Sequence, residues 1–583
     1  MELFAHDHQV QAIEAQLAQW MAVPDSSALP AQPPEQAIPL ILELAWHLRQ
    51  RNSTRALALL DQIEQLLPNL DSSKARDNIA MRARMALVRA EVCWLRAELV
   101  QGQTWLECAV RDFSVCDDQL GLCDAYWVAA WLCHARGESD ETETMLGKAA
   151  QAAQQGQDSV RYDSCDAVRA QLGSFRDAQV NEQLWGERFQ TDLNAYVPAV
   201  AAMISDFMAA RHCLKADYGS AVMYWMQTVE NSRCTGQIRR AIIASTNIGA
   251  AFSSLNDYHS ALEWMQAGLD LARPTGWPGS IGVSLQQTAE TLRMLGRLDE
   301  ANELLQEARK ALQPLSNSRS YAVTLWYLAE LALNRHDYAS AKRDFCDLLE
   351  RADILQDVDL QTGGRRGLAN TLLHMGEPEA ALAWVQQSLQ MAQQSQQVQR
   401  QIEALQVLAQ IYAQHDLPLN EEVQEVSRPL HFLLQALAIS KKIDGYQANA
   451  SLLDAIADAY HDIGDYKTAF TYTRQAASAR ELTHNLEASS RASALRIKHQ
   501  TERNKAESAH HKQLAEVEAR RAEVLQQTSD TLEKLGTIGQ EITAHLDINE
   551  VFSALKSHVD GLLDAVCFVI LLLYPENECL HSA

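Results

Sequence analysis

The feature that most constrains the fold is a pattern that recurs every 40 residues. The residues that begin each copy are Tyr218, Tyr258, Leu298, Tyr338 and Pro378. Three positions after each comes an alanine: Ala221, Ala261, Ala301, Ala341 and Ala381. Seven positions after each comes a bulky apolar residue: Trp225, Met265, Leu305, Phe345 and Val385. A fixed period of this length is typical of stacked units that bury their apolar faces only against one another, so the sequence predicts an elongated helical solenoid.

Each unit has the pattern of two antiparallel helices. In one unit the first helix contains Gly249, the chain breaks at residues 255–257, and the second helix carries Ala261 and Met265 on one face. A small residue recurs at the Gly249 position in the other first helices, where it allows close approach of two helices. These residues are Ala209, Ala289, Ala329, Ala369 and Ala457.

Two segments carry the resemblance to a known family. NIGAAFSSLNDYHSALEWMQAGL (247–269) and IADAYHDIGDYKTAFTYTRQA (456–476) resemble the tetratricopeptide repeat. The resemblance covers residues 202–477 and implies an all-α, right-handed superhelical solenoid. Because the period exceeds the family's usual length of about 34 residues, the helices are expected to be longer, as in the tetratricopeptide-like sensor arrays of bacterial regulators. An insertion is expected around residues 417–429, and the units upstream of residue 200 are expected to be degenerate.

Composition limits the kinds of partner that the protein can bind and the cellular compartment that suits it. The net charge of −25 opposes nonspecific nucleic-acid binding, which needs a basic surface. The eleven cysteines contain no CxxC pair, which indicates a reducing cytoplasm rather than a disulfide or zinc framework. The most apolar run, Ala565 to Tyr574, is too short for a membrane helix and is expected to be a buried strand. The sequence therefore predicts a cytoplasmic protein that binds neither nucleic acid nor membrane.

A long charged helix is expected after the repeats, over residues 478–535. Its apolar seam improves toward its end, at spacings of three and four residues that suit a marginal parallel coiled coil. The seam residues are Leu525, Thr528, Leu532, Leu535, Gly539 and Ile542. A homodimer through residues 525–542 is therefore predicted, and a bland solvent-exposed spacer helix is the alternative.

The last part of the chain, residues 536–583, resembles the opening of a GAF domain. It has an amphipathic helix from Asp547 to Leu562, then the expected strand, then a turn at Pro575. A complete GAF domain needs further strands and helices, so the domain is expected to be truncated here. The order of repeats, long helix and GAF start resembles bacterial diguanylate cyclases that end in a GGDEF domain, but no GGDEF or GGEEF string is present.

Five segments are thus expected along the chain. An N-terminal helix with a Pro-rich loop occupies residues 1–34, and degenerate helical repeats occupy residues 35–200. Tetratricopeptide repeats follow over 201–477, the coiled-coil helix over 478–535 and the truncated GAF start over 536–583. No catalytic, cofactor-binding or metal-binding motif is found in the sequence, so any enzymatic activity is expected only of a longer relative.

The family resemblance implies a binding groove lined by the first helix of each pair. Carried onto this sequence, the groove positions are Asn247, Gln287, Glu290, Arg293, Trp326, Tyr327, Glu330, Arg366, Asn370, Asp454 and Asp458. A mixed surface with an aromatic anchor can hold an extended or helical peptide. Ordinary solvated surface is the alternative for each residue, and Trp326 has the further alternative of packing between repeats.

Three functions fit these features. The first is a signal-transduction sensor whose repeats bind a protein or peptide and relay the change through the coiled coil to a GAF-linked output. The second is a scaffold that does not switch. The third is a regulatory subunit that acts on an enzyme in trans.

Overall fold

The computed structural model describes residues 1–21, 37–66, 75–174, 178–189, 192–215, 217–395, 397–418, 427–441, 450–481, 521, 571–574 and 579–582. Contacts between residues divide the chain into two units, Met1–Ile497 and Lys498–Ala583. The first unit is built of α-helices, and the described strands belong to the second.

The first nine helices occupy the N-terminal part of the first unit. They are α1 (Asp7–Met21), α2 (Ile38–Leu48), α3 (Ser53–Leu66), α4 (Ala75–Leu95), α5 (Leu99–Cys116), α6 (Gln119–Arg136), α7 (Ser139–Gln155), α8 (Ser159–Gly173) and α9 (Ala178–Trp185). The amphipathic helix predicted near the N-terminus is α1. Pro39 lies in the first turn of α2, where its missing N–H has no helical partner to lose.

The remaining helices complete the array. They are α10 (Pro198–Leu214), α11 (Tyr218–Cys234), α12 (Ile238–Ser254), α13 (Tyr258–Ala272), α14 (Pro278–Met294), α15 (Leu298–Leu312), α16 (Arg319–Asn334), α17 (Tyr338–Leu355), α18 (Val358–His374), α19 (Pro378–Gln394), α20 (Val398–Gln414), α21 (Arg428–Ser440) and α22 (Ala450–Asp462). A further helix, α23, covers residues 466–481. Even-numbered helices from α10 to α20 are the first helices of their pairs.

The 40-residue pattern corresponds to the starts of the second helices. The helices α11, α13, α15, α17 and α19 begin at the five marker residues. The five alanines three positions later are fully buried, and the bulky residues seven positions later are at most 4% exposed. The described residues between 37 and 481 contain no strand. The predicted all-α solenoid of helical pairs is confirmed, and it has the arrangement of tetratricopeptide-like repeats.

Local sequence explains why the second helices begin at these residues. The side chains of Asp217, Asp257 and Asp337 each accept a hydrogen bond from the backbone N–H of the serine three positions later. Such an N-cap satisfies a backbone donor that the helix leaves without a partner and stabilises a helix by about 1 kcal/mol. The residue before the cap, Asn256 or His336 in two of these turns, has a positive φ that reverses the chain after the first helix.

The small residue of the first helix is required by packing. A β-carbon added at Gly249 would lie 2.9 Å from the carbonyl oxygen of Ala261 and 2.5 Å from Cγ of Met265. The equivalent residues Ala289, Ala329 and Ala369 are fully buried. The predicted close approach between the two helices of a unit is therefore present.

The spacing of about 40 residues between the starts of second helices continues upstream of Tyr218, the first marker residue. The helices α5, α7, α9 and α11 begin at intervals that agree with the repeat to within one residue. In place of alanine, the buried positions are Gly102, Thr142 and Asn181. The helices α5 and α7 thus keep the register with changed marker residues, whereas α9 is shortened to eight residues, so the sequence shows these units only as degenerate repeats.

The N-terminal segment before α1 is held inside the first unit by its backbone carbonyl groups. Arg161 of α8 donates to Met1 O at 3.0 Å, and the Trp46 indole of α2 donates to Glu2 O at 2.7 Å. Arg49 donates to Leu3 O at 2.8 Å. Leu3 is 2% exposed and belongs to a hydrophobic core cluster that also includes residues of later helices, as far along the chain as Ala272 of α13 and Trp277.

Distant repeats of the first unit also meet. A β-carbon added at Gly137, after α6, would lie 2.2 Å from Cδ2 of Leu355 at the end of α17. Gly137 has a φ of 82°, which a glycine adopts without strain. The array therefore curves enough to bring the end of α6 against the end of α17.

The second unit contains a β-hairpin. Strand β1 (Leu571–Tyr574) pairs antiparallel with β2 (Cys579–Ser582), with Leu571 opposite Ser582 and Tyr574 opposite Cys579. The strand predicted within Ala565–Tyr574 is thus present over its last four residues. The coiled-coil seam and the rest of the GAF-like segment lie outside the described residues.

Candidate functional site

The predicted groove residues lie on first helices of successive pairs and on α22. Asn247 lies on α12, and the other residues follow on α14, α16, α18 and α22. By helix they are Gln287, Glu290 and Arg293; Trp326, Tyr327 and Glu330; Arg366 and Asn370; and Asp454 and Asp458. All are half-buried except Asp458, which is exposed.

Two pairs of these residues are in direct contact at the α14 end of this surface. The Gln287 amide donates to the Tyr327 hydroxyl at 3.4 Å, which joins α14 to α16. The Arg293 guanidinium donates twice to the Glu290 carboxylate at 2.7 Å. Burial, followed by the charge of Glu290, raises the pKa of Tyr327, so the phenol stays neutral near pH 7. Neutral Tyr327 and Gln287 therefore retain hydrogen-bonding groups beside a fixed ion pair.

A larger cluster joins α16, α18 and α20, and we call it the Trp326 network. It consists of Trp326, Glu330, Arg366, Arg400 and Glu403. The Trp326 indole donates to Glu330 Oε1 at 3.3 Å, and Arg366 donates to the same oxygen at 3.2 Å. Arg366 also lies 3.5 Å from Glu403, which accepts from Arg400 at 2.9 Å. The Arg400 guanidinium closes the network 5.1 Å from the centroid of the Trp326 ring.

Arg400 is held from both sides by carboxylates. Besides Glu403, it contacts Asp359 of α18 at 2.7 Å. Desolvation lowers the pKa of Arg400, but the two carboxylates outweigh it and raise that pKa. Arg400, Glu403 and Asp359 were missed by the sequence reasoning because the family positions do not include them. The charged residues near the starts of α18 and α20 were the sequence feature that could have pointed to them.

Trp326 packs between repeats as well as lining the surface. A β-carbon added at Gly363 of α18 would lie 2.1 Å from Cη2 of Trp326, so the ring fits against a glycine of the next repeat. The ring nevertheless remains half-buried rather than enclosed. Its packing fixes the orientation of the indole and leaves part of the ring exposed.

Four predicted residues are not part of these clusters. Asn247 and Asn370 are half-buried on α12 and α18. Asp454 is occupied by an ion pair with Arg480 of α23. Asp458 is exposed on the same helix as Asp454, apart from the Trp326 network. The structure therefore concentrates the predicted surface on α14, α16 and α18 and extends it to α20.

A second candidate site lies in the N-terminal part of the first unit, and we call it the tryptophan cleft. It is open to solvent and encloses a volume of only about 20 Å³. Its lining comes from the N-terminal segment and from four helices or their caps: Phe4, Gln50, Trp94, Trp127, Trp131, Gln237, Arg239 and Arg240. Because these residues are far apart in sequence, only the pair Trp127 and Trp131, one helical turn apart on α6, gave a signal that sequence reasoning could have used.

Aromatic stacking shapes the tryptophan cleft. The rings of Trp94 and Trp131 stack with centroids 5.6 Å apart, and Trp127 meets Trp131 edge-on at 6.2 Å. The Arg239 guanidinium carbon lies 5.1 Å from the Trp94 ring centroid and 4.9 Å from that of Trp131. Desolvation and then the nearby charge of Arg240 lower the pKa of Arg239 to about 10, so it remains charged near pH 7.

The described part of the chain also bears on metal, membrane and disulfide features. It contains no group of three His, Cys, Asp or Glu side chains placed to hold a metal ion. None of its helices is long and apolar enough to cross a membrane. Its nine described cysteines are free thiols.

Comparison with known proteins gives similarity only at the level of structure. No protein-family model and no curated protein matches the chain. The apo form of the quorum sensor NprR from B. thuringiensis is similar with a TM-score of 0.44 and 15% identity, over 63% of this chain and 99% of that chain. The Rap conjugation gene regulator of plasmid pLS20, in complex with the Phr* peptide, has a TM-score of 0.40 and 13% identity over 63% and 96%.

A third solved structure also carries tetratricopeptide repeats. It is a signal transduction ATPase with numerous domains from Pyrococcus horikoshii, which carries a tetratricopeptide repeat sensor. Its TM-score is 0.40 at 9% identity, over 79% of this chain and 74% of that chain. Similarities with such low identities and TM-scores do not identify the ligand of this chain.

Proposed function

We propose that this protein is a sensor or interaction module whose helical repeats bind a protein or peptide segment on the surface formed by α14, α16, α18 and α20. The observation that carries the proposal is the Trp326 network, which joins three consecutive first helices through one indole and four charged side chains. Each contact crosses from one repeat to the next or fixes a side chain within a repeat. The surface is therefore held in one geometry before a ligand arrives.

Preorganisation favours recognition of a peptide. Side chains that are already held by hydrogen bonds lose less conformational entropy on binding, so more of the contact energy contributes to affinity. The half-buried Trp326 ring offers apolar area, and Tyr327 and Gln287 offer a hydroxyl and an amide that can meet backbone groups. A row of such groups along successive helices suits an extended or helical segment.

The N-terminal segment is an example, within this chain, of an extended backbone bound by side chains of the helices. Residues 1–5 are held by hydrogen bonds from Trp46, Arg49, Arg51 and Arg161 to four of their carbonyl oxygens. Side chains of the first unit thus bind an extended backbone. The same segment covers part of α2 and α8, which leaves the surface of α14–α20 as the one we assign to a separate ligand.

The coiled-coil seam and the GAF-like segment of the sequence extend the proposal to signalling. We propose that binding is relayed through a coiled-coil homodimer at residues 525–542 to a GAF-type domain that begins at about residue 536. A diguanylate cyclase output belongs to the same proposal for longer relatives, and the setting would be cytoplasmic. The β1–β2 hairpin supports only the strand and turn within the GAF-like segment.

The binding proposal is tested by selecting short peptides from a random display library on the full chain and measuring their affinities for two matched variants. Trp326→Ala removes the indole of the Trp326 network. Trp384→Ala removes an equally half-buried indole from the second helix α19. Trp326→Ala should weaken the selected peptides by about tenfold or more, and Trp384→Ala should not. Equal affinities for both folded variants would refute the proposed surface.

A further inference from the structure

Residues 1–5 are held by side chains that donate hydrogen bonds to the backbone of this segment. The four donors are Trp46, Arg49, Arg51 and Arg161, and we call the surface that they form the N-terminal groove. Each donates to the carbonyl oxygen of a different residue of the segment, at 2.7–3.0 Å. Because every peptide presents carbonyl oxygens along its backbone, these contacts do not require the sequence of residues 1–5.

Two donors of the N-terminal groove are held in place by contacts that do not involve residues 1–5. The Arg161 guanidinium donates to Asp124 at 2.8 Å and 3.0 Å, and to Asp158 at 2.6 Å. The Arg49 guanidinium donates to Glu91 at 2.7 Å. These ion pairs persist when the segment leaves, so the guanidinium groups stay positioned for another backbone. Binding to side chains that are already fixed costs less conformational entropy.

The side chains of the segment indicate which peptides the N-terminal groove accepts. Leu3, Phe4 and Ala5 are all buried. The Arg49 guanidinium carbon lies 4.6 Å from the centroid of the Phe4 ring, and Phe4 also lines the tryptophan cleft. The groove therefore accommodates two consecutive large apolar side chains followed by a small one.

The segment can leave the groove without breaking a helix. It precedes α1 and belongs to none of the helices of the array. The hydrogen bond that links it to α1, from the Gln9 amide to Glu2 Oε1 at 2.9 Å, is exposed to solvent. Departure of residues 1–5 would thus uncover the groove and leave the hydrogen bonds within the helices intact.

We propose that the N-terminal groove is a second peptide-binding surface that residues 1–5 occupy in cis. Its ligand is a peptide of another protein with two large apolar side chains followed by a small one, and the segment competes with that peptide. This surface is separate from the surface of α14–α20 and does not depend on the function proposed for it. The competing structural role is that residues 1–5 are a permanent part of the core.

The experiment measures, by fluorescence anisotropy, the binding of a labelled peptide with the sequence of residues 1–9 to the full chain. In the parent, the tethered segment competes at a high effective concentration, so the peptide should bind weakly. The double variant Leu3→Gly/Phe4→Gly removes the two apolar side chains from the tethered segment. It should bind the peptide at least about tenfold more tightly than the parent does.

The outcome for the folded double variant decides between the two roles. Affinity for the peptide no higher than that of the parent would make residues 1–5 a permanent part of the core and overturn the proposal. A control peptide in which glycine replaces both Leu3 and Phe4 should bind neither chain. Binding of the control peptide as tight as that of the original would also overturn the stated specificity.

Further variants assign the binding to the N-terminal groove. Trp46→Phe, added to the double variant, keeps an aromatic ring and removes the indole N–H that donates to Glu2 O. It should weaken the peptide by about fivefold. Trp105→Phe, which removes a half-buried indole from α5, is the matched control and should leave the affinity unchanged. Equal affinities for the Trp46→Phe and Trp105→Phe chains would place the peptide elsewhere.

Phe4→Gly alone keeps the test decisive if the double variant does not fold. This single variant should bind the peptide more tightly than the parent does. Failure of both variants to fold, or unchanged affinity in folded Phe4→Gly, would overturn the proposal.

A mixture of the parent and the double variant tests whether the ligand is instead a second copy of this chain. Light scattering should show no association that an excess of the peptide of residues 1–9 reverses. A mixed complex that this peptide dissociates would assign the N-terminal groove to exchange between copies and would overturn the assignment to another protein.

Discussion

Arg161 of α8 and Asp124 of α6 form a buried ion pair, with Arg161 Nε 2.8 Å from Asp124 Oδ1. Arg84 of α4 approaches the second oxygen of the same carboxylate at 2.6 Å. Since Arg161 also donates to the carbonyl oxygen of Met1, this pair connects three first helices with the N-terminal segment. These ion pairs hold together the helices of the N-terminal part of the array, which also forms the tryptophan cleft.

Replacement of Asp124 by asparagine should destabilise the protein by about 3–5 kcal/mol at pH 7, because Arg84 and Arg161 would remain buried without a counter-charge. Desolvation raises the pKa of Asp124, but the two arginines outweigh it and lower that pKa. The stabilisation is therefore complete above the unfolded value of about 3.9 and is lost as the pH falls through the folded pKa.

Urea denaturation at a series of pH values measures both effects. The difference between the parent and Asp124→Asn should be largest at neutral pH and should shrink below about pH 4. Asp112→Asn is the control, since Asp112 pairs with the exposed Arg111, and it should cost less than about 1 kcal/mol. A difference for Asp124→Asn as small as that of the control would show that the buried pair does not stabilise the fold.

His47 should make the free energy of unfolding depend on pH in a higher pH range than Asp124 does. It is 3% exposed, and burial followed by the charges of Arg49 and Arg51 lowers its pKa to about 3. The unfolded chain, with a histidine pKa of about 6.5, therefore binds a proton that the folded chain does not. Stability is full above about pH 6.5 and falls as the pH drops toward 3, by about 2 kcal/mol at pH 5.

The variant His47→Gln removes this titration and should lose less stability between pH 7.5 and pH 5 than the parent does. Thermal melts at the two pH values provide the measurement. His259→Gln, at an exposed position on α13, should follow the parent. If His47→Gln and the parent lost stability in parallel, His47 would not be neutral in the folded state.

Overpacking of the first helix should destabilise the repeats. Gly249→Leu places a side chain against Ala261 O and Met265, and we expect a loss of about 1–3 kcal/mol. Gly147→Ala is the matched control, because a β-carbon at Gly147 of α7 meets no atom within 4 Å. That control should instead stabilise the protein by about 0.5–1 kcal/mol. Equal melting temperatures for Gly249→Leu and the parent would show that the helices are packed differently.

The repeats could be predicted from sequence because their signal is local. An alanine three positions into the second helix and a bulky residue four positions later recur in all five marked helices, and a capping aspartate precedes three of them. The alanine pattern is absent upstream, where Gly102 and Thr142 occupy the alanine position. Glycine and threonine can also fit this buried position when the neighbouring side chains change with them. Packing needs a small volume there, and several residue types supply it.

The contacts of the Trp326 network could be predicted only in part, for a different physical reason. The family positions include its members Trp326, Glu330 and Arg366, which are half-buried on first helices. They gave no sign of Arg400, whose side chain reaches Trp326 from another repeat. The tryptophan cleft was missed because its walls come from segments as distant in sequence as Phe4 and Arg239.

The coiled-coil seam leads to a prediction about association. Leu532→Asp or Leu535→Asp should convert a concentration-dependent dimer into a monomer, because a carboxylate at a core position of the seam has no partner. Light scattering at tens of micromolar measures the mass of each variant. A monomeric parent at those concentrations would remove the coiled coil from the account.

The surface of α14, α16, α18 and α20 is the central claim, and amide hydrogen exchange tests it most directly. The full chain is compared with and without a peptide selected from a display library. The account predicts slower exchange in the first helices 278–294, 319–334, 358–374 and 398–414, with less change in the second helices between them. Protection confined to the second helices, or to the helices before residue 200, would contradict it.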